Sequence, residues 1–188
     1  FREKGWNAVL TRETDIEPSL LDRADAANIV NATVFVSVHN NSLPEAAIPR
    51  SREFGTTVLY NASARQPAAE LARIMQDELV GALGTQREAL QDRPRLVVLN
   101  STWVPAVLTE GIMMPNPGNA KLILDRIHRQ RTAEAILRAI ETWRGRKTAA
   151  SKKSVAPTLA PIPALTPAPP QSGNFAGNTA NRGTVGAR

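Results

Sequence analysis

Apolar positions along the chain follow two rhythms. Short runs rich in aliphatic and β-branched residues recur between polar stretches, and they predict five strands: one at the start of Asn7–Asp15, then Thr33–His39, Gly55–Tyr60, Arg95–Asn100 and Pro105–Gly111. Between them lie segments with helical spacing. Ser19 is placed to cap a helix whose Leu20, Leu21, Ala24, Ala27 and Ile29 approximate one face. Leu71, Ile74, Met75, Leu79 and Leu83 form a second stripe, with Pro67 near its start and Gly84 as its stop. A last helix is predicted from about Asn119 to Trp143, broken near Asp125, with Ile127, Ile136, Leu137 and Ile140 inward. Strands alternating with helices imply an α/β fold: a mostly parallel, twisted sheet of about five strands with helices on both faces.

After Arg144 the pattern dissolves. Six prolines fall between Val155 and Gln171, and a Gly/Asn-rich end follows. The expected organisation is therefore a folded domain over residues 1–144 and a basic, Pro/Gly-rich, disordered tail over 145–188. This division changes the meaning of the charge. The chain as a whole carries a formal +6. Residues 144–188 hold seven Lys and Arg and no acid, whereas residues 1–143 hold 16 basic against 17 acidic residues. The basicity belongs to the tail, so a nucleic-acid partner is not expected for the folded part. Tethering of the tail to an anionic polymer or membrane remains an accessory possibility, with salt-sensitive binding as its signature. With no cysteine there is no disulfide and no thiolate metal site. No apolar run approaches the ~20 residues of a membrane-spanning helix.

In open α/β sheets, ligands bind beyond the carboxyl ends of strands. Two ionisable residues are expected there. His39 ends one strand and Glu110 another, each followed by small or polar residues, "NNS" and "GIMM". A neutral imidazole can ligate zinc, and a nearby carboxylate can take a proton from water. On spacing alone, a loop histidine is the commoner reading, and a lone glutamate at a strand end commits to nothing.

Neighbouring words narrow the choice. "LTRETD", "LLDRADAAN", "ATVFVSVHNN", "GTTVLY", "PAVLTEGIMMPN" and a late "AEAI" helix occur in one order. Together, over roughly Gly5 to Ile140, they resemble the zinc-dependent N-acetylmuramoyl-L-alanine amidases of the cell-wall hydrolase type. The resemblance implies hydrolysis of the amide bond between N-acetylmuramic acid and L-alanine in peptidoglycan, at a zinc held by His, Glu and His with a second Glu as general base. By motif His39 corresponds to the second histidine ligand and Glu110 to the catalytic glutamate. Peptidoglycan as substrate implies a periplasmic or extracellular location and a role in wall remodelling or septum cleavage. The alternative is a non-catalytic peptidoglycan-binding or scaffold module that kept the fold and lost the metal.

The family places its first histidine and ligating glutamate before the Thr-Arg loop, and here both are expected upstream of Phe1. "FREKG" reads as the last turn of a helix with Gly5 past its end, in keeping with that expectation. Thr33 stands where the family has aspartate, and "GIMMPN" replaces its Gly-Phe-x-Ser-Asn. Several other residues keep two readings. Arg12 either pairs with Asp15 across a loop or binds substrate. Asn41 either binds substrate, orients His39 or forms an Asx-turn. Arg23 and Asn28 are expected to fix their helix to neighbouring loops, Met113 and Met114 to form pocket wall or core, and His128 to lie on a solvated helix face.

Overall fold

A computed structural model describes residues 1–53 and 55–154 of the chain. A single 3-10 turn, Arg2–Lys4, ends at Gly5 in the left-handed conformation (φ 76°), as "FREKG" predicts. Helix α1 (Leu20–Ile29) begins at a complete capping box, in which Ser19 and Asp22 exchange side-chain and backbone hydrogen bonds. Strand β1 (Phe35–Asn41) follows, then a 3-10 segment (Glu45–Glu53) and strand β2 (Thr57–Tyr60). Helix α2 (Ala69–Leu83) stops at Gly84, again left-handed. A two-residue strand β3 (Gln91–Asp92), the short helix α3 (Val97–Asn100) and strand β4 (Ala106–Met113) come next. Helices α4 (Pro117–Leu124) and α5 (Arg126–Ser154) complete the described residues, with the expected break at Asp125.

The sheet has four strands in the order β1-β4-β2-β3. β1 runs parallel to β4 and β2 parallel to β3, while β2 and β4 are antiparallel. The architecture is the expected α/β layering, with one strand fewer than the sequence suggests. Two predicted strands are corrected. Asn7–Leu10 forms no strand, and Val9 and Leu10 are exposed, because the segment has no pairing partner among the described residues. Arg95–Asn100 carries helix α3 instead. Val98 and Leu99 are buried there all the same, and a short apolar run does not distinguish the two geometries.

Two apolar layers sandwich the sheet. One holds Leu71, Ile74, Met75 and Leu79 of α2, Ile136, Ile140 and Trp143 of α5, and Val58 and Val107 from the strands. The other packs Ala27 of α1 and Val98 and Leu99 of α3 against Phe35, Leu59, Ala106 and Leu108. The alternation along β4 therefore sends Val107 to the α2/α5 side and Leu108 to the α1/α3 side. Helix α1 contributes only its alanines to the core; Leu20, Leu21 and Ile29 are exposed, as is Ile127 of α5, against expectation. Helix α5 lies antiparallel to α2, with ion pairs Arg138–Glu78 and Arg146–Glu70 joining them. It continues to Ser154, past the boundary placed after Arg144. The Pro/Gly-rich tail from Val155 lies outside the described residues. No described helix is long and apolar enough to cross a membrane.

Candidate active site

His39 and Glu110 are brought together. They are directly opposite one another in the parallel β1–β4 ladder, in the carboxyl-terminal halves of both strands; neither ends its strand as the sequence suggests, since pairing carries β1 on to Asn41 and β4 to Met113. Residues Phe35, Ser37 and His39 share one face of β1, and Ala106, Leu108 and Glu110 share the same face of β4. The two side chains thus rise side by side from neighbouring strands, which stand roughly 5 Å apart. Immediately beyond them the register slips. His39 pairs with Glu110 but Asn41 pairs with Met113, so β4 carries one extra residue at Gly111–Ile112. A bulge at this point bends the strand end and re-aims what precedes it.

The two groups are tuned in opposite ways. Glu110 is half-buried above the apolar α1/α3 layer, and desolvation pushes its pKa up to about 7. Its Oε2 is buried without a hydrogen-bond partner among the described residues. Partial burial, with the guanidinium charges of Arg23 and Arg12, holds the His39 imidazole below the ordinary histidine value and so favours the neutral ring. One ring nitrogen, Nε2, lies 3.1 Å from the Ser37 hydroxyl. Nothing in its immediate sequence singles out Ser37, although strand alternation puts it on the His39 face.

The remaining candidates fall into place around this pair. Arg12 donates to the Ile16 carbonyl at 3.3 Å, and among the described residues it makes no ion pair with Asp15. Arg23 donates from Nε to the Pro18 carbonyl. Asn28 clamps α1 to the loop before β4, donating to Ser101 O (2.9 Å) and accepting from Trp103 N (2.7 Å), as expected. The Asn41 side chain accepts from Ser42 N at 2.8 Å and so caps its own loop instead of touching His39. Met113 is core, whereas Met114 is exposed, against expectation. His128 on α5 is half-buried.

A carboxyl group poised near neutrality beside a neutral imidazole can receive and return a proton at physiological pH. The same pair bears on a metal. Catalytic zinc takes three protein ligands and leaves one position open. His39 is suited to be one of them, and the unpartnered Glu110 oxygen next to it is suited to a water. Among the described residues, however, no three His, Cys, Asp or Glu side chains come together. These residues fit one corner of a zinc site and do not complete it.

Comparison with known proteins agrees with the motif pattern. A family model described as N-acetylmuramoyl-L-alanine amidase matches residues 1–142. The chain belongs to this family. It is 33% identical over 118 residues to the endolysin of Bacillus phage SPP1, a match covering 61% of this chain and 41% of that protein. With the N-acetylmuramoyl-L-alanine amidase Rv3717 of Mycobacterium tuberculosis it shares 29% identity over 143 residues, covering 72% of this chain and 59% of the relative. Among solved structures, the amidase AmiC2 of Nostoc punctiforme superposes with a TM-score of 0.65 at 29% identity, covering 76% of this chain and 74% of that one. The catalytic domain of CwlV from Bacillus (Paenibacillus) polymyxa gives 0.62 at 29%, with 72% and 70% covered. The amidase-family chain spans about half the length of the curated relatives it matches.

Proposed function

We propose that this chain hydrolyses the amide bond between N-acetylmuramic acid and L-alanine in peptidoglycan. The observation that carries the proposal is the register pairing of His39 with Glu110, just before the β4 bulge of an amidase-family fold. Glu110 is the catalytic general base and acid. Its Oε2, buried and unpartnered, accepts a proton from the attacking water and returns it to the departing L-alanine amine. A pKa near 7 suits both transfers, and activity is expected to rise as pH passes through that value. His39 is proposed as a zinc ligand whose fellow ligands are not among the described residues. Bound zinc would supply Lewis acidity toward the lactyl carbonyl and its attacking water.

Arg12, near enough for its charge to act on the His39 ring, is proposed to meet substrate. Asn41 supports the site through its loop cap. Action on peptidoglycan places the protein in the cell envelope, periplasmic or extracellular, with wall remodelling or septum cleavage as its setting. The test is release of free L-alanine amino termini from purified sacculi by zinc-loaded protein that carries the full ligand set. Glu110→Gln is expected to lower the rate by about 10²–10⁴-fold with binding to sacculi retained. Binding without any release by the wild type would instead support a wall-binding module.

A further inference from the structure

Glu110 is followed at once by the bulge in β4, and the structure shows what holds that bulge. The β2–β4 ladder ends at the pair Thr57↔Glu110. One step further, Gly111 stands opposite Thr56, whose backbone faces away from β4 in the ordinary alternation of a strand. The Thr56 backbone is committed elsewhere, since its N–H donates to Gln86 O (2.8 Å) and its carbonyl accepts from Glu88 N (3.0 Å). The side chain takes over, with Thr56 Oγ1 donating to Gly111 O at 2.7 Å inside the protein. A hydroxyl has one proton. Given to Gly111, it leaves Thr56 Oγ1 as acceptor toward the neighbouring Thr85 hydroxyl.

A buried scaffold fixes Thr56 in turn. Gln76, 2% exposed on α2, donates to Thr56 O at 3.0 Å and to Glu88 O, and its own carbonyl accepts from Arg87 (3.1 Å). Arg87 is tied to Asp77 on the same helix. A polar glutamine on the apolar face of α2 has no packing reason to be there, and this network is its use. Thr56 itself is fully buried.

We infer that Thr56 is a positioning residue for Glu110. Its hydroxyl, backed by Gln76 and Thr85, pins the Gly111 carbonyl and thereby fixes the bulge that aims the Glu110 carboxylate beside His39. The inference rests on the reading of Glu110 as the base, and its test separates the two. Thr56→Val keeps the side-chain shape and removes the hydroxyl; Thr56→Ser restores it. In the zinc-supplemented full chain acting on peptidoglycan, Thr56→Val is expected to lower kcat by about tenfold to a hundredfold. KM should stay within about twofold, and Thr56→Ser should recover most of the loss.

On the same proteins, χ1-sensitive NMR couplings of Glu110 should report one rotamer in the wild type and Thr56→Ser, and averaging in Thr56→Val. A single rotamer in Thr56→Val, or an unchanged kcat in active protein, overturns the inference. If the wild type releases no L-alanine, the functional reading fails while the couplings still decide the clamp. Should Thr56→Val not fold, Thr85→Val removes the donor to Thr56 Oγ1 alone, and a smaller effect of the same sign is expected; none would overturn the inference.

Discussion

Replacing Glu110 by Gln keeps the side-chain shape and removes its charge, and the consequence for stability can be worked out in advance. Desolvation raises the Glu110 pKa from the ordinary value near 4.5 to about 7. Between those values the folded chain holds a proton that the unfolded chain has released. Stability from this group is therefore fully present below the unfolded pKa and is lost as pH rises through the folded one. A difference of that size amounts to roughly 3 kcal/mol for a group sealed from water. The side chain is only half-buried, so solvent screening reduces the figure to ~1–2 kcal/mol.

His39 works in the opposite sense. Its pKa is depressed, so its contribution is present above the unfolded value and lost as pH falls. Because both proteins contain His39, the difference between their profiles isolates Glu110. Urea unfolding of metal-free wild type and Glu110→Gln, in steps from about pH 4 to pH 9, reads this difference. The Gln variant should gain ~1–2 kcal/mol on the wild type across the range, most of it between pH 5 and 7.5. A difference that stays flat with pH would refute the placement of a desolvated carboxylate at the end of β4.

Asn28→Ala removes both bonds that tie α1 to the loop before β4, and it should cost about 2 kcal/mol in denaturant unfolding. Gly55→Ala would put a Cβ 2.0 Å from the Gln86 carbonyl oxygen; backbone cannot give way cheaply there, so a large loss of Tm is expected, together with weakened hydrogen-exchange protection at Thr56 and Glu88. Arg23→Gln deletes a positive charge that depresses the His39 pKa, so NMR titration of that ring should show a rise, and no change would remove Arg23 from the site's electrostatics.

Much of this site was legible in the sequence because its two central residues lie on strands that announce themselves. β1 opens on alternating β-branched positions and β4 on a nearly continuous apolar run, so both strands could be located, and with them His39 and Glu110; that each strand runs two or three residues further is set by pairing. That the pair lies in exact register is a property of the ladder, which no local pattern encodes. Helix α2 was legible for a similar reason, since one stripe of five apolar residues meets one core layer. Local pattern failed where pairing decides. "NAVL" has strand composition and no neighbour to bond, while β3 is two polar residues made a strand only by Leu59 and Tyr60 beside them. α1 misled because its exposed leucines outweigh its buried alanines in any count of apolar residues. Thr56 and Gln76 were passed over because their roles arise from contacts 55 and 20 residues away in sequence.

In the proposed reaction water is added across the lactyl–L-alanine amide with Glu110 moving the proton. Digestion of a purified muropeptide in ¹⁸O-labelled water by the zinc-loaded protein, followed by mass measurement of both products, reads this step. One ¹⁸O is expected in the lactyl carboxylate, with an unlabelled L-alanine amine, and this product should be lost with Glu110→Gln. Cleavage at another bond, or undiminished labelling with Glu110→Gln, would contradict the proposal.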